Sequence, residues 1–258
     1  MAETISNVNP LIVALLGGVL PSLVWLWFWL QEDRTSPEPT GLIALSFFAG
    51  MAVVYFVLPL QKLVVAGISS IMDLVNALAL NLSLYPPAEQ TVQITLWAFI
   101  EEFAKYATVF LIAFNSKYFD EPMDAVIYLI TAALGFAAME NTLYIFKDLA
   151  EGGVYEMISN GNMRFIGATI VHIVSSALVG LAIAFSFYAP RAIKFIAAII
   201  GILVATLLHA YFNLSIMVTD GTLKTLLVFS QFWVAIIGLI VLLVLVKRLP
   251  KPTNTILK

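Results

Sequence analysis

The chain reads as long apolar runs separated by short polar breaks. Runs at 10–30, 42–61, 63–84, 93–114, 124–146, 165–188, 192–215 and 225–247 each approach the ~20 residues that a helix needs to cross a bilayer. The first closes on WLWFWL, an aromatic belt of the kind that sits at a membrane surface. The breaks carry turn chemistry: QEDRTSPEPT with Pro37 and Pro39, then YPPAEQ, then NSKYFDEPMD. The longest break, KDLAEGGVYEMISNGNMR over 147–164, has paired glycines and a net negative charge. The run 63–84 differs, because Asp73, Asn76 and Asn81 give it the polar positions of a helix lying in the interface. The pattern predicts an all-α, polytopic transmembrane helical bundle of about eight spans, or seven if 63–84 is interfacial. No internal repeat, low-complexity tract or second domain interrupts it. Residues 1–258 therefore read as a single integral membrane domain with a motif-bearing core at about 93–215.

Composition narrows the function. The chain is 61% hydrophobic and 11% charged, against about 25% charged in soluble domains. A net charge of −3 argues against nucleic acid as a partner. Without cysteine, neither disulfides nor thiolate chemistry are available. The first run has Glu3 and no basic residue before it, and lacks a small-x-small cleavage site. It reads as a retained helix rather than a signal peptide. With eight spans and an inside N-terminus, Lys62, Lys117, Arg191, Lys194, Lys247, Arg248, Lys251 and Lys258 fall inside, and Arg34, Lys147, Arg164 and Lys224 outside. The basic tail KRLPKPTNTILK makes the C-terminus cytoplasmic. If 63–84 does not span, the N-terminus flips outward and everything after it keeps its place.

Four spans carry polar residues that apolar helices should not hold. ITLWAFIEEFAKYATVFLIAF has Glu101, Glu102 and Lys105 at its middle, where a charge costs roughly 2.5–3.5 kcal/mol. GFAAMENTLY has Glu140 and Asn141, with Phe136, Glu140 and Tyr144 stacked at a spacing of four. His172, Ser176 and Gly180 repeat at the same spacing, as do His209 and Asn213. Glu101, Glu140, His172 and His209 all lie roughly 9–12 Å below the outer ends of their spans at 1.5 Å per residue. Helices of alternating direction thus place three glutamates and both histidines of the chain in one layer. Interhelical hydrogen-bond glue accounts for each motif singly, but not for the shared depth. Intramembrane ionisable groups of this kind mark functional sites.

Carboxylates beside imidazoles can activate water, with one ionised glutamate as general base and a histidine and an amide stabilising an oxyanion. The set describes carbonyl hydrolysis. Gly-x-Ser-x-Gly and His-Glu-x-x-His are both absent. The rival reading is a transporter or proton relay built on the same carboxylates, against which stands the lack of inverted-repeat halves.

Glu101-Glu102-x-x-Lys105, Asp124 opening DAVIYLITAALGFAAMENTLYI, His172-x-x-x-Ser176 and His209-x-x-x-Asn213, in this order over roughly 95–215, resemble the PrsW family of intramembrane proteases. More distantly they resemble type II CAAX prenyl proteases and the wider CPBP/ABI group. The resemblance implies an intramembrane endopeptidase in a prokaryotic cell membrane, cutting membrane-anchored substrates such as anti-sigma factors toward the outer side. It implies Glu101 as the base, Glu102 and Lys105 holding it, and His209 with Asn213 as the oxyanion site. Where CAAX proteases carry an assisting histidine in the second motif, Glu140 stands here, which leaves His172 as the candidate proton shuttle. Phe136, Asn141, Tyr144 and Ser176 are supporting residues. Neither histidine has a recognisable zinc spacing, so the reading favours no cofactor. Glu101, Glu140, His172 and His209 are the donors if a divalent metal such as zinc takes part. The partners expected are the bilayer and a membrane-anchored protein or peptide, and nothing in the sequence sets an oligomeric state.

Overall fold

The computed structural model describes residues 9–151, 153, 164–219 and 222–250. Among them are seven α-helices and no strand: α1 Pro10–Leu30, α2 Thr40–Asn81, α3 Glu89–Ile112, α4 Pro122–Glu151, α5 Thr169–Phe185, α6 Arg191–Met217 and α7 Thr222–Lys247. One π-helical turn, Arg164–Ala168, leads into α5. Of these, α1, α2, α4, α6 and α7 are long and apolar enough to cross a membrane. The chain is an integral membrane protein of the all-α class. Most of the long break read over 147–164, and the last residues of the basic tail, lie outside the described residues.

Helix starts follow the local chemistry. Asn9 caps α1 by accepting the Leu11 N–H at 2.9 Å, with Pro10 in the first position, where its missing N–H costs nothing. At the start of α4, Asp124 Oδ2 accepts the N–H groups of Asp120 and Glu121, each at 2.8 Å.

The runs 42–61 and 63–84 are joined. They form the single 42-residue α2, about 63 Å long at 1.5 Å per residue, which exceeds the ~40–45 Å of a bilayer with its headgroups. Among the described residues 63–84 forms no helix of its own, so the helices number seven rather than eight, five of them long and apolar enough to span. The polar pair Gln61-Lys62 supplies no helix stop, and Pro59 is accommodated inside the helix. Asp73 lies exposed on the distal half. The helix ends where Ser83 takes φ 55° and the Leu84 N–H reaches back to the Ala79 carbonyl at 2.8 Å, a Schellman stop.

The hub is α4. Every side chain from Pro122 to Ala138 is buried, and α1, α2 and α5 pack along it, while α6 packs on α5 and α3 bridges α2 and α6. Close approach requires glycine at the α2–α4 crossing: a Cβ on Gly135 would fall 1.9 Å from the Phe47 carbonyl oxygen, and one on Gly50 would fall 2.1 Å from that of Ala132. This small-residue contact is how membrane helices pack without a hydrophobic drive between them. It sets the polar faces of α3, α4, α5 and α6 against one another.

Candidate active site

The four helices bring Glu101, Glu102, Lys105, Glu140, His172 and His209 together. All but Glu140 are buried residues.

Glu102 is saturated. Its Oε1 accepts from Lys105 Nζ at 2.6 Å, Ser175 Oγ at 2.8 Å and His209 Nδ1 at 2.7 Å. Its Oε2 accepts from Ser176 Oγ at 3.2 Å. Such a carboxylate only accepts, so His209 carries its proton on Nδ1, and a neutral ring leaves Nε2 with a free lone pair. That Nε2 faces Glu101 Oε2 at 3.7 Å. Glu101 Oε1 accepts from Gln61 Nε2 at 2.8 Å, but Oε2 is buried without a hydrogen-bond partner. A buried unpaired carboxylate oxygen is costly, so this atom is where chemistry is to be sought.

His172 lies edge-on to His209, ring centroids 5.0 Å apart, with Phe136 on another side at 5.4 Å. Its Nδ1 is 3.2 Å from Lys105 Nζ. An ammonium has only hydrogens to give, so Nδ1 accepts, and Nε2 donates to Glu140 Oε2 at 3.1 Å. Glu140 Oε2 also takes Arg164 at 2.6 Å. The Arg164 guanidinium reaches Asn141 Oδ1 at 2.7 Å and lies 3.8 Å over the Tyr144 ring. Asn141 in turn donates to Thr169 at 3.1 Å. Lys105 thus answers Glu102 and Arg164 answers Glu140, whereas no lysine or arginine among the described residues pairs with Glu101, which has His209 Nε2 at 3.7 Å.

A cavity of about 660 Å³ opens onto this layer. Its walls are largely apolar, including Val54, Val57, Phe212 and Phe229. Glu101, Glu140, His172 and His209 line its polar side, and Asn213 lines it one turn beyond His209. Phe136 and Tyr144 line it too. Of the sequence-based set, Glu102, Lys105, Asn141 and Ser176 do not line the cavity and instead hydrogen-bond to one another or to the residues around it.

Four contributors were not read from the sequence. Gln61 stands at the end of the run 42–61 and Arg164 at the end of the break 147–164, and Trp97, whose Nε1 donates to the Gln61 carbonyl at 3.2 Å, carries no motif signal. Ser175 sits beside Ser176 in the same motif, and its polarity was the available signal.

Ligating atoms of Glu101, His172 and His209 lie within 4.8 Å of one another. Distance alone would admit a metal ion. In the arrangement here both nitrogens of His172 are engaged, one of them facing an ammonium, while Glu140 is held by Arg164 and His172. Two free lone-pair donors remain, Glu101 Oε2 and His209 Nε2, against the three protein ligands of a catalytic zinc. A metal ion held by Glu101, His172 and His209 would take His172 Nε2 away from Glu140.

The family described as PrsW family intramembrane metalloprotease matches residues 38–246. Protease PrsW of Geobacillus kaustophilus is 25% identical over 170 residues, 66% of this chain and 63% of that protein. Protease PrsW of Halalkalibacterium halodurans is 24% identical over 178 residues, 69% of each chain. That of Bacillus subtilis is 24% identical over 132 residues, 50% of this chain and 51% of the relative. The chain thus spans between about half and two thirds of the length of these relatives. No solved structure matches. The match across most of the chain shows that it belongs to the PrsW family.

Proposed function

We propose that this chain is an intramembrane endopeptidase that hydrolyses a peptide bond of a membrane-anchored protein with water activated by Glu101. The observation that carries the reading is the unpartnered Glu101 Oε2, 3.7 Å from the bare Nε2 of His209, in an apolar-walled cavity. A water between these two acceptors would give one hydrogen to each and turn its lone pairs toward the cavity. Glu101 then takes a proton as the water oxygen adds to the carbonyl carbon. The same proton passes to the amine when the carbon–nitrogen bond breaks. Glu102 orients His209 and keeps its proton on Nδ1, much as a buried carboxylate orients a catalytic imidazole elsewhere. Asn213, one turn along the cavity wall, is the amide we assign to the developing oxyanion. His172, with both nitrogens engaged, links Lys105 to Glu140 and Arg164 and acts by holding the layer together.

The reading is metal-free, and the donor arrangement supports it. With seven helices and the cytoplasmic C-terminus that the basic tail favours, the site lies toward the outer half of the membrane. The apolar walls suit a lipid-embedded segment.

The test compares newly formed protein termini in membranes expressing the wild type and Glu101→Gln. Termini dependent on Glu101 are expected. Identical termini from two equally abundant proteins would overturn the reading and favour a transporter, which flux assays in liposomes would then address.

A further inference from the structure

Far from Glu101, at the loop ends of α1, α2 and α4, a second group of carboxylates is buried. Asp33 is 3% exposed and Asp124 fully buried. Asp33 Oδ2 has no hydrogen-bond partner among the described residues, while Asp124 is paired with Glu38. Glu38 accepts the Tyr128 hydroxyl, and burial pushes its carboxyl above the ordinary range. The nearby cation Lys247 is taken by Glu32 at 2.7 Å.

Above these acids runs an apolar groove. Helices α1 and α2 both pack on α4 and leave between them a cavity of about 360 Å³, lined by Leu23, Leu26, Ala44 and Phe48 and closed at one end by Asp33 and Glu38. Leu23 and Phe48 are exposed, so the groove faces the lipid. The acids lie in or beside the polar loop between two spans, beside the tryptophans of WLWFWL, which places them at headgroup level.

We propose that this groove binds a phospholipid with a primary ammonium headgroup, one acyl chain along the groove and the ammonium on Asp33 and Glu38. Burial favours the neutral form of these acids, and a cationic head is the partner that would let them ionise. The unpartnered oxygen selects a donor: a primary ammonium offers three hydrogens, whereas a trimethylammonium offers none. Phosphatidylethanolamine is therefore preferred over phosphatidylcholine of the same chains, and an anionic headgroup is repelled.

The full chain, purified in neutral detergent and stripped of lipid, is titrated by native mass spectrometry with phosphatidylethanolamine, phosphatidylcholine and phosphatidylglycerol of identical acyl chains. Phosphatidylethanolamine is expected to half-fill the site at about tenfold lower concentration than phosphatidylcholine, the size of one charge-assisted hydrogen bond. Asp33→Asn should abolish that preference. Ala44→Trp, at an exposed position where a larger side chain disturbs no packing, should block the groove and remove the preferred binding altogether. Equal half-filling by the three lipids, a preference for phosphatidylglycerol, or a preference that survives both substitutions overturns the proposal.

Discussion

Glu101 and Glu102 are neighbours on one helix, and their surroundings could hardly differ more. On the Glu102 side, four donors converge on one carboxylate, from Lys105, Ser175, Ser176 and His209. On the Glu101 side, one amide holds one oxygen and the other is left bare beside a bare nitrogen. A membrane interior penalises a charge unless partners surround it. Glu102 has those partners and serves the structure. Glu101 lacks them and faces the cavity, which is why we propose it as the group that exchanges a proton.

Substitutions can break this contrast. Glu101→Gln should leave the fold in place, since an amide can occupy the same space, and should lower kcat by about 10²–10⁴, the range for a lost general base. Glu102→Gln should act on stability instead. It strands the Lys105 ammonium, which is fully buried, and breaking such a pair costs about 3–5 kcal/mol. Unfolding by sodium dodecyl sulfate titration reads this as an early transition, and a variant as stable as the wild type would remove the contrast. Asn213→Ala, if the amide meets the oxyanion, should lower kcat by about 10²–10³ with KM little changed. A rise in KM alone would make Asn213 a substrate-binding residue. The smallest effect is expected at Gln61→Ala. Losing one hydrogen bond of about 0.5–1.5 kcal/mol should reduce kcat/KM by at most about tenfold, and no change would show that Gln61 does not position Glu101.

Much of this was legible in the sequence. Charged and imidazole residues in apolar runs are rare enough to announce themselves, and helical spacing with a common depth was sufficient to place Glu101, Glu140, His172 and His209 in one layer. The division of labour between Glu101 and Glu102 came only from the family resemblance; spacing alone does not give it, because it depends on rotamers and on which face α5 and α6 present. The resemblance leaves His172 as the proton shuttle; in the structure both imidazoles have a ligating atom within 4.8 Å of Glu101, and His209 Nε2 stands 3.7 Å from its Oε2. Gln61 escaped notice because the polar pair Gln61-Lys62 looked like a break, whereas long straight-chain residues continue a helix readily. Arg164 escaped because a cation at the end of a loop reads as a surface charge, and its return to Glu140 is a tertiary contact.

The central claim is that Glu101 activates water without a metal ion. The most direct measurement is cleavage of a substrate identified from the membrane termini, by the purified chain, before and after exhaustive chelation, alongside Glu101→Gln. The account predicts undiminished cleavage after chelation and a loss of about 10²–10⁴ in rate for Glu101→Gln. Loss of activity on chelation with recovery on adding zinc, or cleavage by the Glu101→Gln protein at near the wild-type rate, would contradict it.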